Sequence, residues 1–98
     1  MRLIYHPNAE TELIEAARYY ESCVSTLGVQ FLGQAGRAVA IILEAPERWR
    51  IIDDGVRCYL MHRFPYAIYY RDYAEHLHIL AFKHHGRHPD YWRDRISA

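Results

Sequence analysis

Apolar residues fall in two registers along the chain, helical before Pro46 and strand-like after it. Arg2 to His6 alternates weakly and predicts a short first strand. Pro7 suits the first turn of a helix, where its missing N–H costs nothing. Ala9, Leu13, Ala16, Ala17, Tyr20 and Val24 then recur at helical spacing, with Cys23 at the edge of their stripe. Glu10, Glu15, Arg18, Glu21 and Ser22 lie opposite, which predicts an amphipathic helix with one buried face. Glu10 and Glu12 sit in its first turn, where they complement the helix dipole. Ser25-Thr26-Leu27-Gly28 breaks the pattern and offers Ser25 or Thr26 as a new N-cap. A second stripe follows in Phe31, Leu32, Ala35, Ala38, Val39, Ile42 and Leu43, and Pro46 stops it at Ala45. So tight a connection predicts a helical hairpin.

Past Pro46 the period shortens. Val56 to Phe64, Tyr66 to Tyr73 and His76 to His84 are rich in β-branched and aromatic residues. Pro65 marks one turn and Asp72-Tyr73-Ala74-Glu75 the next, which predicts an antiparallel meander. The helices return the chain to the end where the first strand finished, so strand two is expected to oppose strand one. The expected fold is α+β, β-α-α-β-β-β, with the helical hairpin on one face of a four-stranded antiparallel sheet. A tail from His85 to Ala98 carries Gly86 and Pro89 and a short helical segment at Asp90 to Ile96. The whole of residues 1–98 reads as one domain, without repeat or linker. Leu13, Phe31, Leu32, Val39 and Ile42 are the expected helix contribution to the core, and Trp92 is expected to pin the tail to the sheet.

Composition sharpens this reading. With 51% hydrophobic residues the chain is too apolar for a disordered tail. Twelve basic and twelve acidic residues leave no net charge, against a role in coating nucleic acid. No run approaches the roughly 18 apolar residues needed to span a bilayer, and the N-terminus lacks the features of a secretory signal. Cys23 and Cys58 are too few and too isolated for a disulfide framework, so they read as reduced, structural and cytoplasmic. The zero hides a polarity. Residues 1–47 hold three arginines against six glutamates, while residues 48–98 hold nine Lys/Arg against six Asp/Glu and six of the seven histidines. An anionic ligand would therefore meet the second half.

The candidate chemistry lies there too. His84, His85 and His88 crowd the end of the last strand, and His76 and His78 share one strand face. Neither cysteine is spaced to chelate with them, so no metal site is expected, and no cofactor motif is present. Arg48, Arg50, Arg57, Arg63, Arg71, Lys83, Arg87, Arg93 and Arg95 supply cations. Cleavage of RNA through its own 2′-hydroxyl needs a base, an acid and cations on the phosphate, and His85, Arg87 and Tyr91 offer such groups. The same residues suit a rim for an acidic peptide, or merely a charged edge that keeps a sheet soluble.

Several segments together resemble a known family. They are Pro7-x-Ala9 after the first strand, Tyr19-Tyr20 late in helix one, Phe31 opening helix two, and the Pro46 stop. Val56-Arg57, Phe64-Pro65-Tyr66-Ala67-Ile68-Tyr69-Tyr70-Arg71 and Ile79-Leu80-Ala81-Phe82-Lys83-His84 continue the match, and His85-x-Arg87-x-Pro89-x-Tyr91-Trp92 completes it. The chain resembles the RelE/ParE superfamily of type II toxin–antitoxin toxins over essentially its full length. The resemblance implies a cytoplasmic bacterial toxin without cofactor. It also implies a hetero-oligomer with a cognate antitoxin whose tail crosses the hairpin and sheet. Operator DNA would be reached only through the antitoxin, and no membrane is involved.

Two mechanisms divide that superfamily: RelE-like members cut mRNA on the ribosome, and ParE-like members inhibit DNA gyrase by binding. RelE-like cutters carry alternating lysines in strand two and an arginine early in strand three. Here Cys58 and Leu60 stand at the lysine positions and Ala67 at the arginine position. The expectation is a ParE-like, non-catalytic gyrase inhibitor. The alternatives are a RelE-like ribosome-dependent mRNA endonuclease, for which Tyr91 six residues after His85 keeps the spacing of a basic–tyrosine pair, and a non-toxic degenerate member. The expected target-binding end comprises Arg63, Lys83, His84, His85, Arg87, Tyr91 and Arg95, with Arg57 farther off.

Overall fold

The computed structural model describes residues 2–96. Strand β1 (Arg2–Tyr5) leads directly into helix α1 (Pro7–Cys23). The His6 ring accepts the Asn8 N–H at 3.1 Å, which caps the helix ahead of Pro7. Helix α2 (Leu27–Glu44) folds back on α1. Thr26 stands at its N-cap in the left-handed region, φ 71°, and its side chain caps nothing. Glu21 does that work from α1, accepting the N–H of Thr26 at 2.8 Å and of Gly28 at 2.9 Å. These bonds to the charged form, the one to Thr26 foremost, hold the Glu21 carboxyl below its usual range.

Ala9, Ala16 and Ala17 of α1 and Phe31, Ala35, Ala38, Val39 and Ile42 of α2 are buried, with Leu13 half-buried against them. Leu32, expected in that core, is 44% exposed. It lies about 100° round the helix from Phe31, on the side of Val29 and Gly36. Val24 is a second correction: it follows the last turn of α1 and points to solvent.

After α2 the chain makes a 3-10 turn (Pro46–Arg48) and then strand β2 (Ile51–Asp53), which the sequence pattern had not suggested. Asp54 (φ 46°) and Gly55 (φ 74°) are both left-handed, as a two-residue reversal requires, and strand β3 (Val56–Leu60) returns. Strands β4 (Tyr66–Asp72) and β5 (His76–His84) complete a five-stranded sheet in the order β1-β5-β4-β3-β2. This corrects the expected four-stranded, wholly antiparallel sheet. The strand that follows the helices does oppose β1, but the Asp54-Gly55 turn reverses every later strand. Thus β5 lies parallel to β1, with Ile4 beside His78.

One sheet face, carrying Tyr59, Ile68, Tyr70, Leu77, Ile79 and Phe82, packs under the helices. Tyr70 is fully buried, and its hydroxyl donates to the Pro46 carbonyl at 2.6 Å. On the other face Val56, Leu80, Ala81 and Trp92 form a smaller cluster with Tyr69, Tyr91 and Ile96. The pairing of β4 with β5 slips between Tyr69 and Tyr70, which face Ala81 and Ile79 and leave Leu80 as the extra residue. That bulge lets adjacent Leu80 and Ala81 both join the cluster beneath the tail. Within the tail, the expected helical segment is a 3-10 turn (Arg93–Arg95), and the last two residues lie outside the described ones.

Candidate target-binding surface

β1 is short and its pairing with β5 ends at Tyr5 and Ile79. Past that point β5 has an open edge, and two charged side chains close it. Glu12, from α1, accepts the Phe82 N–H at 3.1 Å. Arg95, from the tail, donates to the Leu80 carbonyl at 2.9 Å. The two side chains form a bidentate pair, both contacts 3.0 Å, at 11% and 8% exposure. Arg87 approaches the same carboxylate at 3.4 Å from a half-exposed position. The Tyr91 ring centroid lies 3.8 Å from the Arg87 guanidinium and 4.8 Å from that of Arg95. Its buried hydroxyl makes no hydrogen bond among the described residues. Burial, with the nearby Glu12 carboxylate adding to it, pushes that hydroxyl well above the usual tyrosine range.

The residues singled out from sequence therefore separate. Arg95 is an internal clamp. Arg57 pairs with Asp72 at 3.0 Å and donates to the carbonyls of Trp49 (2.6 Å) and Glu47 (3.2 Å), so it braces the 3-10 turn against the sheet. Lys83 is buried, its ammonium donating to the His84 carbonyl at 3.2 Å. Trp92 is 1% exposed and donates to the Pro89 carbonyl at 2.6 Å. Arg63, His84, His85 and Arg87 face solvent where β4 begins and β5 ends. His84 Nδ1 accepts the Gly86 N–H at 2.9 Å, and the ring stands edge-on to Tyr66. A cleft of about 180 Å3 beside it is lined by Glu12, Tyr19, Tyr66, His84 and Arg87.

Glu12 is the residue that sequence reading placed wrongly, as a helix-dipole partner alone. No local signal marks it, because its partners lie far along the chain. The histidines at the other end of β5 gather with His6, ring centroids 6.2 and 6.4 Å apart, and burial foremost lowers the His78 pKa. Among the described residues no three His, Cys, Asp or Glu side chains converge as a metal-ligand set. No helix there is long and apolar enough to cross a membrane.

The model of the ParE toxin family, toxins of the parDE type II toxin–antitoxin system, matches residues 3–89. The chain belongs to the ParE toxin family. Its ParE-family match stops at Pro89, so Tyr91, Trp92 and Arg95 lie beyond it. The fold of this ParE-family chain is similar to a solved chain described as the chromosomal ParDE TA system from P. aeruginosa. The TM-score is 0.76 at 16% identity, covering 86% of this chain and 95% of that one. No curated protein sequence matches the chain significantly.

Proposed function

We propose that this ParE-family toxin acts in the cytoplasm by binding DNA gyrase, is neutralised by a cognate antitoxin, and meets operator DNA only through that antitoxin. One observation carries the choice of an inhibitor over a nuclease: the phenol is enclosed, and of the cations near this end of the sheet only Arg63 and Arg87 are left to solvent. Arg95 and Arg57 are bound to carboxylates, Lys83 is buried on a carbonyl, and the Tyr91 hydroxyl is enclosed. Cys58, Leu60 and Ala67 share a sheet face and bring no charge. What remains is a polar, half-aromatic rim of Arg63, His84, His85 and Arg87, suited to holding a partner surface.

Controlled expression tests this. Filamentation and DNA damage with continued bulk translation, and loss of supercoiling by purified gyrase on adding the protein, are the expected results. Rapid codon-dependent cleavage of ribosome-bound mRNA would replace the reading with the endonuclease. A His85→Ala, Arg87→Ala double variant should lose growth inhibition while melting nearly as before, since half-exposed ion pairs contribute about 1 kcal/mol or less. Full toxicity in that variant would move the binding surface elsewhere.

A further inference from the structure

The end of β5 opposite the His84–Arg87 rim carries a row of cations and rings. Arg2 pairs with His76 and Ile4 with His78 along β1, while Arg71 of β4 faces His78. Residues in register share one side of a sheet, and Leu77 and Ile79 fill the side under the helices. Arg2, Arg71, His76 and His78 therefore lie together on the other side. There the Arg71 guanidinium stands 5.3 Å from the centre of the Tyr73 ring, and Tyr73 stacks on His76 at 4.6 Å. His76 is 6.4 Å from His78, and His78 stacks on His6 at 6.2 Å. Stacking occupies the ring faces and leaves the nitrogen-bearing edges to meet a ligand.

The row is rich in donors. His6 Nδ1 accepts the Asn8 N–H at 3.1 Å, so the neutral ring keeps its proton on Nε2, as a donor. Arg57, Arg87, Arg93 and Arg95 each hold a carboxylate, whereas among the described residues Arg2 and Arg71 enter no ion pair. Arg71 rests on Tyr73 and beside Gly55, where a Cβ would come within 3.1 Å of its Nε. Few carboxylates compete for these cations. Asp72 lies on the helix side with Arg57, and Asp53 is bound to Arg93. Glu10 of α1 acts on Tyr5, and Asp94 of the tail acts on Arg95. Asp54 and Glu75 stand exposed in the flanking turns. Burial, then His6 and His76, lower the His78 pKa, and no carboxylate offsets them.

We propose that this row binds the diphosphate group of a small ligand, with Arg71 and the imidazole edges taking its oxygens. A planar guanidinium matches phosphate oxygens, and an imidazole gains a proton readily beside an anion. One phosphate reaches across a single step of the row; two linked phosphates follow it through both steps, of 6.2 and 6.4 Å. Pyrophosphate and a nucleoside diphosphate share this chemistry. The bound anion restores the His78 proton, so binding takes up protons and weakens as pH rises. The site lies at the other end of β5 from the rim assigned to the target, and it stands whether or not the chain acts on gyrase.

Titration of the isotope-labelled chain with metal-free inorganic pyrophosphate, followed by amide and imidazole signals, tests this. Saturable shifts at Arg71, His76 and His78 are expected, about five-fold or more weaker with orthophosphate and absent with potassium chloride at equal ionic strength. Affinity should fall about ten-fold between about pH 6 and about pH 8, as the imidazoles lose their protons. Adenosine diphosphate and adenosine distinguish the sources. Tighter binding of the diphosphate than of pyrophosphate assigns a nucleotide, and equal or weaker binding assigns pyrophosphate itself; adenosine binding as well as its diphosphate overturns the proposal. Shifts that chloride reproduces, shifts elsewhere, or none up to about 10 mM pyrophosphate overturn it too. Arg71→Gln should weaken binding about ten-fold or more, as loss of a charge-assisted contact does. Because Arg71 also packs on Tyr73, the Arg2→Gln, His76→Gln double variant repeats the test away from that contact, with about the same loss expected. Undiminished binding in either folded variant overturns the site, and so does an equal loss in Arg18→Gln on α1, which would reduce the effect to net charge.

Discussion

Glu12 and Arg95 stand 83 residues apart and together finish the edge of β5 that β1 is too short to cover. The carboxylate takes the Phe82 N–H, the guanidinium takes the Leu80 carbonyl, and each neutralises the other. An ion pair so nearly buried is worth most when intact, because losing one partner strands the other in low dielectric.

Glu12→Ala should therefore cost about 3–5 kcal/mol of unfolding free energy, read from equilibrium urea denaturation. Arg95→Ala should cost less, because Glu12 keeps the Phe82 N–H and the nearby Arg87. The reverse order would show that the carboxylate is not the hub.

Two glycines of α2 should respond oppositely to alanine. A Cβ on Gly28 would clash with the Ala17 carbonyl oxygen, so Gly28→Ala should destabilise by about 1–3 kcal/mol as the hairpin is pushed apart. A Cβ on Gly36 meets nothing within 4 Å, so Gly36→Ala should stabilise by about 1 kcal/mol through helix propensity. Thermal melts of the two variants check both signs.

Phe31 is fully buried, with the rings of Tyr20, Phe64 and Tyr66 at centroid distances of 5.3, 5.1 and 5.2 Å. Phe31→Ala should cost about 3–5 kcal/mol in denaturant titration. A loss under about 1 kcal/mol would mean that the aromatic cluster closes over the gap.

At alkaline pH the Tyr70 phenol should weaken the fold. Burial pushes it from its usual 10.0 up to about 12. Between these values the unfolded chain releases a proton that the folded chain keeps, so stability, full below the lower value, falls as pH rises through the window. Denaturation midpoints followed upward from neutrality should show the fall, and Tyr70→Phe should reduce its slope.

At acid pH His78 acts in the opposite direction. Burial first, then His6 and His76, lowers its pKa from the usual 6.5, with Arg71 paired to it across the strands. The unfolded chain therefore binds the proton more readily, and stability should decline as pH falls below about 6.5. His78→Gln should flatten that part of the stability profile; an unchanged profile would assign the effect to other groups.

Local pattern was enough for much of this molecule. The stripes on α1 and α2, Pro7 at the helix start, Pro46 beyond its end and the aromatic runs at β3, β4 and β5 all act within a few residues. Backbone sterics and side-chain periodicity then leave little choice of element. Strand β2 was also within reach, since Asp54-Gly55 between β-prone residues is a strong hairpin signal. Overlooking it inverted the expected direction of every later strand. Which cations are free and which are clamped had no such local trace. Arg95 and Arg63 are alike as sequence, yet one is bound to Glu12 and the other faces solvent. That difference arises because the short β1 leaves hydrogen-bonding groups open on β5, and a buried open edge must be satisfied by whatever the fold brings near. Hydrophobic period chose the elements; the pairing of buried charge with unpaired backbone across the whole chain decided which residues remained to meet a partner.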